Sequence, residues 1–291
     1  MVGRRRLMGR TLAFETWDVF TRQKFAGNPL AIVWDADGLS DEQMQRIARE
    51  FNYSETVFVC APDSPSHIAD LRIFTPMMEL PFAGHPTVGA ALALKKRSGD
   101  ALDVMTLGEA AGPVSITFST DGQSASFAPP QAPKVLRTMA LEMEDVLMGS
   151  QPAEIVIASA GTPFAFCTMA DAMAVDAAAP GPSLARFLEE LNVVGLFVYA
   201  ELSETEIYAR MFCIDAAVAE DPATGSAVAA LAAPLMQQSD KARSITVHQG
   251  VKLGRPSEIR LDCGPSAGED SIHCRVGGPA LPVMFGTLTL D

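Results

Sequence analysis

Apolar and polar positions along the chain switch repeatedly between a short strand-like rhythm and a helical one. Residues 14–20 and 30–34 read as strands, 41–51 as a helix, and 56–60 and 71–74 as strands again, the alternation of an α/β chain. Met44, Ile47, Ala48 and Phe51 fall at helical spacing, and Ser40 with Gln43 forms a capping box in front of them. Further on, 114–118 and 125–127 bracket Asp121-Gly122, a pair that favours a tight hairpin.

A proline-rich stretch, Pro129, Pro130 and Pro133, follows that hairpin and favours an extended connection. Beyond it the pattern starts again. Ala26-Gly27-Asn28-Pro29-Leu30-Ala31 is echoed by Ala160-Gly161-Thr162-Pro163-Phe164-Ala165, and Leu71-Arg72-Ile73-Phe74 by Ala209-Arg210-Met211-Phe212. Gly84-His85 ahead of one Ala-rich helix is matched by Gly225-Ser226 ahead of another. Three echoes in the same order indicate duplication. The chain is therefore expected to divide into an N-terminal lobe, 11–128, joined by a C-terminal strand at 281–291, and a C-terminal lobe, 129–280. Residues 1–10 are expected to be a disordered extension.

Composition narrows the function. At 291 residues with 48% hydrophobic and 20% charged positions, the chain can bury a sizeable core, and its length favours two lobes over one. A formal net charge of −13 repels phosphate backbones and anionic membrane surfaces, so neither nucleic acid nor membrane is an expected partner. The basic run Arg4, Arg5, Arg6 and Arg10 lacks the apolar segment of a secretion signal; it reads as a frayed extension, with an organellar presequence as the alternative. Apolar runs such as 227–235 are too short to span a bilayer. Cys60, Cys167, Cys213, Cys263 and Cys274 form no CxxC pair, and His67, His85, His248 and His273 no metal-ligand spacing. A reduced, soluble cytoplasmic protein without a metal follows as the expectation.

Each half ends its Arg-x-Phe strand in a Gly-containing turn and enters a small-residue helix, read at 86–94 in the first and 227–235 in the second. A helix start offers free N–H groups and the positive end of a dipole, so it can bind a carboxylate or a developing oxyanion. Gly84 and Gly225 would let backbone approach a ligand closely, while Pro86 loses an N–H that would have been orphaned anyway. Taken singly, such starts are ordinary capped core helices, and a lone histidine such as His85 is commonly a satisfied cap or core residue. Pairing the two turns favours a site. Asp221 lies in Glu220-Asp221-Pro222-Ala223-Thr224-Gly225-Ser226, where its carboxylate could cap the helix or face a ligand. Glu55, just ahead of an apolar strand, would ordinarily be a solvated strand end.

These segments resemble the phenazine-biosynthesis, PhzF-like, family. The likeness rests on 25–33, on 54–59 with Ser54 and Glu55, on Phe82-Ala83-Gly84-His85-Pro86-Thr87 within 79–89, on 220–227, and on 249–257 with Gly254-Arg255-Pro256-Ser257. It implies a mixed α/β (α+β) fold like diaminopimelate epimerase: two similar lobes, each a mixed β-sheet wrapped around a central helix, with the site between them. It further implies Glu55 as the acid/base that shuttles a proton, His85 and Asp221 as its assistants, and Ser54, Gly84, Gly225 and Ser226 as substrate-binding positions. The reaction known for the namesake is isomerisation of a dihydro-hydroxyanthranilate without metal or cofactor, commonly by homodimers. Burial near Asp221 would raise the pKa of Glu55 and suit it to that task.

Two alternatives stay open. Racemases and epimerases of this fold use two cysteines, at the places here held by Ala83 and Asp221, which disfavours a two-thiol mechanism. A small-molecule-binding or interaction protein that kept the fold without the reaction is the other.

Overall fold

Strand and helix boundaries follow the hydrophobic pattern closely in the first half of the chain. A computed structural model describes residues 10–99, 102–141, 145–149, 154–213, 220–266 and 271–290. The first half runs β1 (Thr11–Val19), β2 (Asn28–Val33), α1 (Asp41–Phe51), β3 (Glu55–Cys60), β4 (Ala69–Phe74), β5 (Glu79–Leu80), α2 (Gly84–Ser98), β6 (Val104–Glu109), β7 (Gly112–Phe118) and β8 (Ser124–Phe127). The second runs β9 (Lys134–Ala140), β10 (Leu147–Met148), β11 (Glu154–Ser159), β12 (Pro163–Thr168), α3 (Ala172–Ala177), β13 (Ala179–Pro180), α4 (Leu184–Leu191), β14 (Gly195–Glu201), β15 (Glu206–Cys213) and β16 (Glu220–Asp221). It closes with α5 (Gly225–Gln238), β17 (Arg243–Gln249), β18 (Ser257–Pro265) and β19 (Ile272–Thr289).

The pairing repeats element by element. β2 lies parallel to β3 across α1, and β12 parallel to β14 across α3 and α4. β3 then pairs antiparallel with β4, and β14 with β15; each second partner carries a two-residue strand, β5 or β16, and lies parallel to β6 or β17. Each half thus wraps its strands around one helix. α2 packs on β1, β2, β3, β8 and β19, and α5 on β9, β11, β12, β18 and β19. Both helices are short of polar positions: residues 88 and 90–93, and 227–235, are almost wholly buried, as expected of a helix enclosed on all sides. β19 ties the halves together, pairing first with β18, then with β8, and along its last nine pairings with β1.

Local chemistry explains the boundaries. The Ser40–Gln43 capping box forms as read, and α1 closes at Asn52 in the left-handed region. The Asp121-Gly122 turn joins β7 to β8, with Phe118 opposite Ala125. Gly27, at φ +66, has no alternative, because a Cβ there would lie 2.3 Å from the Val19 carbonyl. The two buried helices start two residues earlier than the apolar pattern indicated, at Gly84 and Gly225. Arg10, assigned by sequence to the extension, is instead held: its guanidinium donates to the carbonyls of Asp35 (2.8 Å) and Asp37 (2.6 Å), and its own carbonyl accepts from Leu290. Residues 1–9 lie outside the described residues. Among those described, no helix is long and apolar enough to cross a membrane, and no cluster of three or more His, Cys, Asp or Glu could hold a metal ion.

Candidate active site

A cavity of about 700 Å³ opens between the two helix starts and the strand ends of both halves. Ser54, Glu55, Asp221 and Ser226 line it, together with Ala83, Thr224, Met211 and Cys213. Glu55 and Asp221 are the only charged side chains on its wall among the described residues. Apolar side chains, including Met77, Met78, Leu80, Phe82, Phe164 and Val193, make most of the remainder.

Gly84, His85 and Gly225 adjoin cavity-lining Ala83, Thr224 and Ser226 in the chain without lining the cavity themselves. The glycines serve helix-to-helix approach: a Cβ on Gly84 would lie 3.3 Å from the Cα of Gly225 and 3.0 Å from Phe127, and one on Gly225 3.1 Å from Phe20. The amino ends of α2 and α5 therefore abut. Among the described residues, neither start is capped by a side chain, because the residue ahead of Gly84 is Ala83 and the Thr224 hydroxyl is committed to Asp221. Two positive dipole ends meeting in the interior are mutually unfavourable, and an anion between them relieves both.

His85 is buried, with its Nδ1 3.3 Å from Oε2 of Glu55. Burial pushes its pKa down to about 3, with a smaller opposing influence from the Pro29 carbonyl. The ring is neutral at physiological pH and backs the carboxyl as an uncharged partner. Asp221 is the opposite case. Burial raises its pKa to about 6 against hydrogen bonds that favour the carboxylate: Asn28 donates to Oδ1 at 2.8 Å, Ser54 to Oδ1 at 3.4 Å and Thr224 to Oδ2 at 2.5 Å.

Several residues that hold Asp221 escaped the sequence reading. The Asn28 amide also donates to the Ala223 carbonyl, and fully buried Gln249 donates to the Asp221 carbonyl (2.8 Å) and accepts from the Thr224 N–H (3.1 Å). Asn28 is itself fixed by the second half. Arg255 donates to the carbonyls of Gly27 (2.8 Å) and Ala26 (2.9 Å) and to Asp18 (2.7 Å), while the Gly27 N–H bonds the Pro256 carbonyl. Asn28 was legible as part of the first echo and Gln249 as the start of a family-like segment. Only the fold brings them to one carboxylate.

The match to known proteins follows this geometry. The family model "Phenazine biosynthesis-like protein" matches residues 17–286. The chain belongs to this family. It is 38% identical to an uncharacterized isomerase of Mesorhizobium japonicum, covering 96% of this chain and 99% of that one. It is 35% identical to the trans-2,3-dihydro-3-hydroxyanthranilate isomerase of Pseudomonas chlororaphis, covering 94% and 98%. A crystal structure of a Bacillus anthracis protein of the PhzF family shares the fold, with a TM-score of 0.81 at 24% identity over 97% of this chain and all of that one. Membership in this family makes the chain an enzyme of the isomerase class.

The state of Asp221 gives a pH signature. Three donors converge on it, so its carboxylate is the form the site is built to hold, and kcat/KM should rise with pH through about 6. Stability should move the other way. A carboxyl raised from 3.8 to about 6 by folding stabilises the fold fully below 3.8, and that stabilisation is lost as pH climbs through about 6. Asp221→Asn should remove the component of the acid limb centred near 6 and lower kcat by roughly 10- to 100-fold, since its N–H donors would then oppose donors. A pH–rate profile of both proteins checks this; a limb still centred near 6 in the variant would assign it to another group.

Proposed function

We propose that this chain is a cofactor-independent isomerase that moves a proton on a small, cyclic, carboxylate-bearing substrate, with Glu55 as the acid/base. One observation carries it: the Glu55 carboxyl faces the same cavity as two abutting, side-chain-uncapped helix starts. In the first step the Glu55 carboxylate takes a C–H proton and becomes the acid, while the electron pair left behind moves into an enolate-like system. The helix-start N–H groups hold the substrate carboxylate or that developing oxyanion. In the second step Glu55 returns the proton to a different carbon, which leaves substrate and product isomeric and the enzyme unchanged.

A neutral His85 suits both states of such a shuttle. The single ring proton, placed on Nδ1, donates toward the carboxylate form of Glu55; shifted to the other nitrogen, it leaves Nδ1 free to accept from the acid form. A charged imidazolium would favour the carboxylate alone. Asp221, with Ser226 beside it at the start of α5, completes the polar floor against which the substrate is oriented. On the family resemblance, the proposal includes a homodimer acting in the cytoplasm.

Incubating the enzyme with trans-2,3-dihydro-3-hydroxyanthranilate and related cyclic carboxylates in deuterated water, with NMR detection, tests it. Isomerised product carrying solvent deuterium at one carbon is the expected outcome. Binding without isomerisation or exchange across the series would sink it. Cys213 lines the cavity, so a thiol acid/base is the competing mechanism even though Ala83 and Asp221 hold the places of the racemase cysteines. Alkylation at Cys213 would block the cavity by bulk alone, so substitution is the cleaner probe. Cys213→Ser should keep turnover within about tenfold of the parent, whereas loss of a thiol acid/base would cost roughly 10²–10⁴.

A further inference from the structure

Behind the cavity wall lies a third carboxyl, which the mechanism above does not use. Glu109 ends β6, and the turn after it is tied to the wall by Ala111, whose N–H bonds the Pro81 carbonyl. Ala111, Pro81, Phe82 and Ala83 all face the cavity. The Oε1 atom of Glu109 is 2.7 Å from the Thr87 hydroxyl, and that same hydroxyl is 2.7 Å from the Ala83 carbonyl. Oε2 is buried and has no hydrogen-bond partner among the described residues.

Counting protons decides the state of this chain of groups. A threonine hydroxyl has one proton to give. If Glu109 were a carboxylate, it and the Ala83 carbonyl would both be acceptors, and one of two short contacts would have no proton in it. If Glu109 is an acid, both bonds form: Glu109 O–H donates to Thr87, and Thr87 O–H donates to Ala83. An ionised Oε2 would also be a buried charge with no partner. Burial pushes the pKa of Glu109 up to about 8, with Thr87 opposing it.

Neighbouring charges do not change the picture. β7 carries no titratable residue. On β4, Asp70 pairs with His67 and Arg72 with Glu79 and Asp41. On α2, His85 is neutral, and the far-end cations are engaged elsewhere: Lys95 on the Leu102 carbonyl, Lys96 over Trp17 and Arg97 beside Asp35.

We propose that Glu109 is a positioning residue of the active site, held as an un-ionised acid whose O–H donates to Thr87 and so commits the Thr87 hydroxyl to the Ala83 carbonyl at the start of α2. Ionisation reverses the Thr87 proton toward Glu109, releases Ala83 from that bond, and places a negative charge behind the helix start. Its bearing on substrate rests on the proposed function, since the charge would compete with a substrate anion for the same dipole end.

The test is a pH titration by NMR of the whole enzyme, reading the δ-carbon of 13C-labelled glutamates and the amides of Gly84 and His85. Glu109 is expected in the acid form at neutral pH, titrating near 8, and the Gly84 and His85 amides should shift with the same midpoint. Glu109→Gln keeps a donor to Thr87 and cannot ionise, so the amide response should be lost. Thr87→Val provides the assignment should that variant fold poorly, and should shrink the amide response while leaving Glu109 able to titrate. A Glu109 carboxylate at neutral pH, or amide curves identical in the parent and Glu109→Gln, would overturn the proposal. Neither readout involves turnover, so it can fail while Glu55 stands as the shuttle, and the reverse.

Discussion

Glu55→Gln should lose turnover by roughly 10²–10⁴-fold, the range that a positioned acid/base contributes. Glutamine has nearly the size of glutamate and can still meet His85 across 3.3 Å, but it can neither take nor return a proton. The loss should fall on kcat, with KM changed little, because the substrate carboxylate is held by the helix starts and not by Glu55. Incorporation of solvent deuterium should fall by the same factor as turnover. Neutral His85, whose pKa lies near 3, has little capacity to replace the missing base. Glu55 opens onto the cavity with 17% side-chain exposure, so the variant should fold normally and its circular dichroism should match the parent. A variant that turned over within a few-fold of the parent would transfer the shuttle to another group, with Asp221 the first to examine.

The sequence carried the duplication well wherever a backbone constraint forced particular residues. Gly27 needs its positive φ, and the Gly-Pro echo at Gly161 and Pro163 repeats the turn into the matching strand. The Arg-x-Phe echo marks β4 and β15, and each arginine makes a two-pronged ion pair with a glutamate on the short strand beside it. A further echo went unread: α1 ends at Asn52 and α4 at Asn192, both left-handed with φ 52. The flanking residues differ, and only the fold shows that each asparagine closes a helix ahead of an equivalent strand.

The site was legible as a set of residues but not as a geometry, and the reason is asymmetry within the duplication. Thr56 pairs with the register of Ala31, and Leu196 with that of Ala165, so the counterpart of Glu55 is Gly195. Asp221 pairs with Met211 as Leu80 pairs with Ile73, so its counterpart is Leu80. Each half supplies one carboxyl where the other is apolar or bare, and no repeat pattern can announce that. The hydrogen bonds that fix Asp221 reach across most of the chain, from Asn28 in the first half and Gln249 in the second. The helix-start glycines show the same limit. Their spacing is plain in sequence, yet their role in letting α2 and α5 touch is a matter of tertiary packing.

The two equivalent arginines should respond to substitution very differently. Arg210→Met is expected to destabilise the fold by about 3–5 kcal/mol, the usual cost of stripping one partner from a buried ion pair. Arg210 and Glu220 are 9% and 11% exposed, and the Arg210 guanidinium also donates to the carbonyls of Val175 (3.3 Å), Asp176 (3.2 Å) and Ala178 (2.5 Å) around the end of α3. Its loss leaves Glu220 charged in the interior and three carbonyls without that donor. Arg72→Met removes the same two-pronged pair with Glu79, but those side chains are 30% and 36% exposed. Water and salt screen that pair, and the expected cost is at most about 1 kcal/mol. Urea denaturation of the two variants measures the difference directly. Adding Glu220→Leu to Arg210→Met should restore much of the lost stability by removing the stranded charge. It should not restore activity, since Glu220 sets the short strand that presents Asp221 to the cavity. Equal costs for the two arginine variants would show that burial does not govern these pairs.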